Sequence, residues 1–295
     1  MSVEVRLDEA AADAAADDEL CIQPQGFLLE LSLDWIVLRA SENVHRFLGE
    51  SHVSLIDEPL AKFVHSQPLH DLRNLFSRLS GATGVARAYQ VRLGEDQRRF
   101  DVAFQISRGR ILLEAIDSPG KGMGEAIGSV AGLVDGLAGS HGSALIDNAA
   151  RRMRALTGYD SVTFVGADGV PSAESRRPGI GAIRREATPE RAGQHARVVA
   201  DLAAPSVAVY PRAPRDRAAG AALLRSPRTD ERDRLLADGI ASTMRVPVRL
   251  DGRLIGCFEC DHCSPRKPNL ERHAAAELFA QMFAMRLEMD RLTRG

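Results

Sequence analysis

Ser118-Pro119-Gly120-Lys121-Gly122-Met123-Gly124 decides how the chain is divided. A proline and three glycines within seven residues interrupt any helix or strand, so this linker, 118–124, separates two segments that each have ordinary domain length. On its N-terminal side, residues 21–117 alternate short apolar runs with turns. Phe27-Leu28-Leu29-Glu30-Leu31 and Trp35-Ile36-Val37-Leu38 read as two strands. Ser41 opens a short helix, Glu42 to Leu48, that Gly49 ends, and a second helix covers roughly Leu69 to Leu79, closed by Ser80-Gly81. Three more strands follow: Ala86 to Leu93, Arg99 to Ile106 and, after the Arg108-Gly109 turn, Arg110 to Ile116. That order predicts a small antiparallel sheet with helices on one face. Ahead of it, residues 1–20 are rich in Ala, Asp and Glu without an apolar stripe to dock them, and read as a mobile arm.

On the C-terminal side, residues 125–295, Ile127, Val130, Val134 and Leu137 recur at helical spacing. Leu145, Ala149, Met153 and Leu156 mark a second helix that Gly158 stops. Tyr159 to Val165 reads as a strand, whereas Gly166 to Ala222, rich in Pro, Arg, Ala and Gly, has no clear period. Thr243 to Leu250 and Arg253 to Glu259 flank Asp251-Gly252, a hairpin signal because both turn residues tolerate the positive φ of a type I′ turn. The chain closes with one long helix, about Leu270 to Leu292. Leu278, Met282, Met285, Met289 and Leu292 fall at spacings of 4, 3, 4 and 3, a heptad seam, while Phe279 and Phe283 lie on an adjacent face. Two apolar faces need two partners: the domain's own sheet, and the same helix of a second chain or another protein. Burial of both faces within one monomer is the alternative. The fold class is therefore α+β, two domains each with an antiparallel sheet and flanking helices.

At 44% hydrophobic and 26% charged residues the chain has the composition of a globular protein, and a net charge of -2 leaves no global footprint for nucleic acid or an anionic membrane. No stretch approaches the ~20 apolar residues of a membrane span, and the acidic start lacks the basic and apolar regions of a signal peptide, so a cytoplasmic location is expected. Cys257, Cys260 and Cys263 crowd into one segment, with Cys21 apart, which fits a reducing compartment. Residues three apart on a strand point to opposite faces, so Cys257 and Cys260 do not chelate together and no metal site is expected. Arg212, Arg215, Arg217, Arg225, Arg228, Arg232 and Arg234 interleave with Asp216, Asp230, Glu231 and Asp233 without aromatic residues, and read as a solvated mixed-charge loop and helix. No Walker loop, dinucleotide fingerprint or nucleophile elbow occurs, and no enzyme is expected.

Ile22-Gln23-Pro24-Gln25-Gly26, followed by Phe27-Leu28-Leu29 and by Arg39-Ala40-Ser41-Glu42-Asn43-Val44, resembles the opening of the PAS domain in bacterial phytochromes. Leu156 to Val162 is similar to the start of the phytochrome GAF domain. Leu224-Arg225-Ser226-Pro227, Asp238 to Thr243, and Asp251 to Gly256 continuing through Cys260-Asp261-His262 look like its later elements, in order. The resemblance spans about residues 21–290 and implies a bacteriophytochrome-like PAS-GAF photosensory module, PAS-like over 21–117 and GAF-like over 125–295, expected to lack the PHY and kinase output domains. The middle region is shorter than the family's, so the resemblance does not carry over the loop through which the family threads its N-terminal arm as a knot.

The departures bear on the pigment. The resemblance implies a biliverdin-bonding thiol about ten residues upstream of Ile22, near Ala11; Cys21 is the candidate thiol instead. The family's Asp-bearing motif is best matched by Thr188 to Gly193, with Arg191 in the Asp's place. Glu231 stands where a histidine stacks on the bilin, Asp261 where the first histidine of a Cys-His-His run stands, leaving His262, and Thr243 and Arg245 replace two small polar propionate ligands. Arg225 keeps the place of a propionate clamp. A protonated bilin needs an acceptor for its ring nitrogens and a stacking imidazole, so these changes imply a degenerate pocket. The expected function is a phytochrome-related sensory or regulatory module acting through protein contacts. Arg225, Thr243, Arg245, Asp261, His262 and Cys21 would then surround any bilin or other small ligand, with no covalent cofactor. The alternative is a biliverdin-binding photoreceptor attached through Cys21 or Arg225. A third reading, a catalytic GAF domain, requires Glu231, Asp261 and His262 within hydrogen-bond reach of one another.

Overall fold

A computed structural model describes residues 19–79, 84–94, 98–120, 124–181, 195–213 and 221–294. The arm up to residue 18, Ser80-Gly81, residues 121–123 of the linker, the Thr188 to Gly193 motif, Arg215, Asp216 and Arg217 lie outside the described residues.

The N-terminal part contains β1 (Cys21–Ile22), β2 (Gly26–Leu31), β3 (Val37–Ser41), α1 (His45–Leu48), α2 (His52–Leu55), α3 (Ser66–Ser77), β4 (Val85–Val91), β5 (Phe100–Ser107) and β6 (Arg110–Asp117). Gly49, at φ +79°, ends α1 as the sequence predicts. Helix α3 begins three residues before the expected Leu69, because Pro68 sits in a first turn whose N–H groups have no intrahelical partner to lose. The rest comprises α4 (Glu125–Asp135), α5 (Gly142–Thr157), β7 (Ser161–Gly166), β8 (Pro171–Arg176), β9 (Arg197–Val199), β10 (Val207–Tyr210), α6 (Thr229–Ala237), β11 (Ser242–Leu250), β12 (Arg253–His262) and α7 (Leu270–Arg294). Strands β8, β9 and β10 arise where the sequence showed no period. None of the described helices is long and apolar enough to cross a membrane.

Among the described residues the first sheet is wholly antiparallel, in the order β1-β10-β3-β2-β6-β5-β4. On one face Phe27, Leu29, Phe100, Phe104 and Leu113 pack with Trp35, Phe47, Leu69 and Leu72. The other face is not open to water, as a small sheet with helices on one side would leave it. There Leu28, Ala103 and Ile116 meet Val209, Leu223, Leu224 and Leu270 of the second domain. Burial on both faces explains why β2 is an unbroken apolar run with a single Glu and not an alternating one.

The second domain also lends β10 to this sheet. Ile22 pairs with Val207 on one side, while on the other Gln23 N–H donates to the Leu224 carbonyl at 2.9 Å and Ser226 N–H to the Cys21 carbonyl at 2.8 Å. Residues 21–23 are thus clasped between the two flanks, 207–210 and 224–226, of one segment of the second domain. The Gln23 amide extends the clasp, donating to Val198 O and accepting from Ala200 N, both at 2.6 Å. Gly26 is required by close approach: a Cβ there would strike the Ala115 carbonyl and come within 2.6 Å of Leu224 Cδ1.

The second sheet runs β8-β7-β12-β11-β9. The β11–β12 turn has Asp251 at φ +49° and Gly252 at φ +80°, as the Asp-Gly signal requires. One face carries Val162, Phe164, Met244, Val246, Phe258 and Cys260 against α4, α5 and α7, whose Phe279 and Phe283 complete the core. Cys257 and Cys260 take opposite faces, following strand alternation. On α7 the seam residues Leu278, Met282, Met285, Met289 and Leu292 are 36–68% exposed, while Phe279 and Phe283 on the adjacent face are buried.

Candidate functional site

The face of the second sheet turned away from the three helices is polar and nonetheless buried. Strand alternation sends Thr243 and Arg245 of β11 and Cys257, Glu259 and Asp261 of β12 to this side. Cross-strand register sets Thr243 opposite Asp261 and Val199, and Arg245 opposite Glu259 and Arg197. Helix α6 lies over them and places Glu231, from its first turn, among the guanidinium groups; Glu231 and Leu235 are its buried residues.

The result is a buried charge network. Glu231 is ion-paired on two sides: Arg197 Nη1 donates to Oε2 at 3.3 Å, and Arg245 Nη1 lies 2.8 Å from Oε1. Arg245 Nε stands 3.6 Å from Glu259 Oε1, and Arg197 also donates to the Ser226 carbonyl at 3.3 Å. Burial pulls the Arg197 pKa down to about 10, and Arg225 and Arg245 push the same way while Glu231 opposes them. Two guanidinium groups therefore share one low-dielectric pocket with the Glu231 carboxylate, and Arg225 is near enough to act on Arg197. Such a group of charges holds only while every partner stays in place, since removing one strands the others.

Of the residues singled out in the sequence, Arg225, Thr243, Arg245 and Asp261 gather around this face. His262 does not. It ends β12 on the helix side, where its Nδ1 lies 3.5 Å from Asp160 Oδ2 and accepts the Ser264 N–H at 3.0 Å, and its ring meets Tyr159 edge-on. Burial lowers its pKa. Glu231, Asp261 and His262 consequently form no single constellation. Cys21 is half-buried in β1, one residue before Ile22, which bridges Arg225. The mixed-charge run is not solvated throughout: Arg228 and Asp230 pair at the surface, but Glu231 is 4% exposed.

Two participants were not singled out in the sequence, Arg197 and Glu259. A third, Glu114 of β6, serves the clasp: its two carboxylate oxygens accept Leu223 N–H at 2.8 Å and Leu224 N–H at 2.7 Å, fixing the segment that carries Arg225. Burial raises its pKa to about 7 against the lowering effect of those two bonds.

The motif residues of the opening also meet one another. Ser41 Oγ accepts Leu28 N–H at 3.1 Å, and Asn43 donates to the Gly26 carbonyl at 2.9 Å.

Comparison with known proteins agrees with this architecture. The GAF domain family model matches residues 141–289 and the PAS fold model residues 19–115. The chromophore-binding domain of the unusual bacteriophytochrome RpBphP3 from R. palustris superposes with a TM-score of 0.77 at 22% identity, over 96% of this chain and 99% of that one. The chromophore-binding domain of Stigmatella aurantiaca phytochrome P1 gives 0.75 at 22% identity over 92% and 98%. The photosensory core module of the S. aurantiaca phytochrome gives 0.77 at 22% over 93% of this chain and 60% of that one. No curated protein sequence matches the chain. With half its length matched by the one family and most of the remainder by the other, the chain belongs to the GAF domain family and is a PAS-GAF module.

Proposed function

We propose that the chain is a phytochrome-related sensory or regulatory module whose GAF pocket no longer suits a phytochrome-type bilin and which signals by protein contact. The observation that carries this reading is the buried pair of Glu231 with Arg245 at 2.8 Å. A bilin asks this surface for a flat stacking partner and for room; here a carboxylate locked between two guanidinium groups occupies the position, and moving it aside strands Arg245 and Arg197. The described residues therefore do not fit the pigment. Another small molecule that replaced the Glu231 carboxylate as partner of Arg197 and Arg245 would disturb β11 directly. The opposite face of β11 carries Met244 and Val246 in the core that holds Phe279 and Phe283, so such a ligand has a short path to α7.

The exposed seam Leu278, Met282, Met285, Met289 and Leu292 on α7 is the surface through which that change is read, by a second copy of the chain. Thioether side chains make the seam adaptable, which suits a contact that must rearrange. Incubating the purified chain with biliverdin and recording absorption under alternating red and far-red light tests the reading. No photoconvertible band is expected, and a stable one would overturn it.

A second reading, a biliverdin-binding photoreceptor with non-standard attachment, is favoured by one observation: Cys21 is held in the strand that bridges Arg225. Zinc-induced fluorescence of the denatured protein that disappears in Cys21→Ala would support it.

A further inference from the structure

Away from the polar sheet face, a cleft of about 370 Å³ opens where the interdomain linker meets the start of α7, lined by Pro119, His262, Pro265, Arg266, Lys267, Pro268, Asn269 and Arg272. Three of these carry a full positive charge, and none lining it carries a negative one. The neighbouring carboxylates are committed elsewhere. Glu271 directs Oε1 to the backbone N–H groups of Gly124 at 2.8 Å and Ala126 at 3.1 Å. Asp160 is held by Arg177 at 3.1 Å and by the Cys263 N–H at 3.1 Å. Among the described residues no ion pair engages Arg266, Lys267 or Arg272, and Arg272 is half-buried with its pKa lowered by that burial and then by Arg266.

The Arg266 guanidinium and the backbone that carries Arg272 are held in place. Arg266 donates to the Gly158 carbonyl and lies over the Tyr159 ring at 4.9 Å, while Asn269 Oδ1 accepts the backbone N–H of Arg272 at 2.9 Å and fixes the first turn of α7. Pro265 and Pro268 stiffen the segment between them. A concave, preorganised surface with uncompensated charge of one sign concentrates field and attracts a counter-ion, and guanidinium forks match phosphate oxygens. The amide groups at the start of α7 add to the same potential.

We propose that this cleft binds a soluble phosphate-bearing small molecule with at least two phosphoryl groups, bridging Arg266, Lys267 and Arg272 beside the linker. Its occupant would tie linker residue Pro119 to the root of α7, the helix with the exposed methionine seam. The inference stands whether or not the polar sheet face binds a ligand.

Isothermal titration of the chain with pyrophosphate at low ionic strength is the test, with inorganic phosphate and vesicles of phosphatidylglycerol as further arms. One equivalent of pyrophosphate per chain is expected, bound at least tenfold more tightly than inorganic phosphate. Lys267→Gln and Arg272→Gln should each weaken it at least tenfold, while Arg78→Gln, on the exposed end of α3, leaves it unchanged. Because neither Lys267 nor Arg272 holds an ion pair, both variants should keep the melting temperature of the parent, and the rise in melting temperature with pyrophosphate should be lost in them. Absence of binding, equal weakening by Arg78→Gln, or capture by the vesicles without binding of pyrophosphate overturns the proposal.

Discussion

Replacing Glu114 by Gln should change the stability of the chain by an amount that depends steeply on pH. In the folded protein the Glu114 carboxyl is buried, faces the N–H groups of Leu223 and Leu224, and titrates at about 7 in place of 4.5. The folded state therefore keeps a proton between those two values where the unfolded chain has lost it, so this group's contribution falls as pH rises through that window. The full penalty is present above about pH 7. At ~1.4 kcal/mol per pH unit the penalty is roughly 3 kcal/mol. Glutamine carries no charge and has no such window. It does oppose one of the two N–H groups with its own amide N–H, leaving a buried donor without an acceptor at a cost of about 1–3 kcal/mol at every pH. Glu114→Gln is thus expected to be less stable than the parent at pH 4.5 and to approach it by pH 8, the difference shrinking by about 3 kcal/mol across the range. Trp35, the sole tryptophan, is buried between Phe76 and Phe104, so urea unfolding followed by its fluorescence reports the domain that Glu114 belongs to. A difference between parent and variant that stays constant from pH 4.5 to 8 would refute the reasoning.

Gly26→Ala should lower the urea midpoint by the equivalent of about 1–3 kcal/mol, since the new methyl meets the Ala115 carbonyl and Leu224 with nowhere to shift. Glu231→Gln removes the shared partner of Arg197 and Arg245 and should cost about 3 kcal/mol or more by thermal or urea unfolding; an unchanged midpoint would mean the network contributes nothing to stability. Met285→Glu puts a carboxylate in the centre of the exposed seam on α7. In the dimer proposed above, burying that seam would gain about 1 kcal/mol per half-exposed side chain against an association cost of at least ~4 kcal/mol, which makes the proposed association concentration-dependent. Light scattering should find the variant monomeric at concentrations where the parent self-associates.

Most of the fold was legible because its periodicities were local. The Asp251-Gly252 turn, the Gly49 and Gly158 helix stops and the 4-3-4-3 spacing on α7 depend on neighbours a few residues away. Strands β8, β9 and β10 were not legible: β8 is exposed on alternate residues with Pro171 at its start, β9 has only three residues, and β10 pairs with a strand more than 160 residues away in the other domain. The polar face was half legible. Counting outward from the Asp-Gly turn pairs Arg245 with Phe258, but a register shift between Val248 and Arg249 sets Arg245 against Glu259. No pattern in the sequence announces that shift. Arg197 was hidden for a different reason, since it gains its partner from a segment distant in sequence, and the burial of Glu231, whose place the resemblance did mark, was hidden because a charged residue in an Arg-rich stretch reads as solvated until its neighbours are known.

The residues that made the chain recognisable and those that would hold a pigment are largely different sets, and this explains how one can persist while the other departs. Gln23 binds the backbone of β9 and the following residue, Gly26 allows β2 to approach Leu224, and Ser41 and Asn43 bond back to Leu28 and Gly26. All four act on the clasp between the domains or on the strand that enters it. None reaches into the polar sheet face. Glu231, Thr243, Arg245 and Asp261, by contrast, sit on that face, where Glu231 pairs with Arg245 and Arg197, so a coordinated change there leaves the clasp intact. A triple variant, Glu231→His with Arg245→Ser and Arg197→Ser, removes the three charges together so that none of the three is left stranded, and would therefore keep the two-domain fold. If the clasp and the pocket are independent in this way, the first domain, read by Trp35 fluorescence, should unfold at the parent's midpoint to within about 1 kcal/mol, and a collapse of the first domain in that variant would show that the two sets act as one.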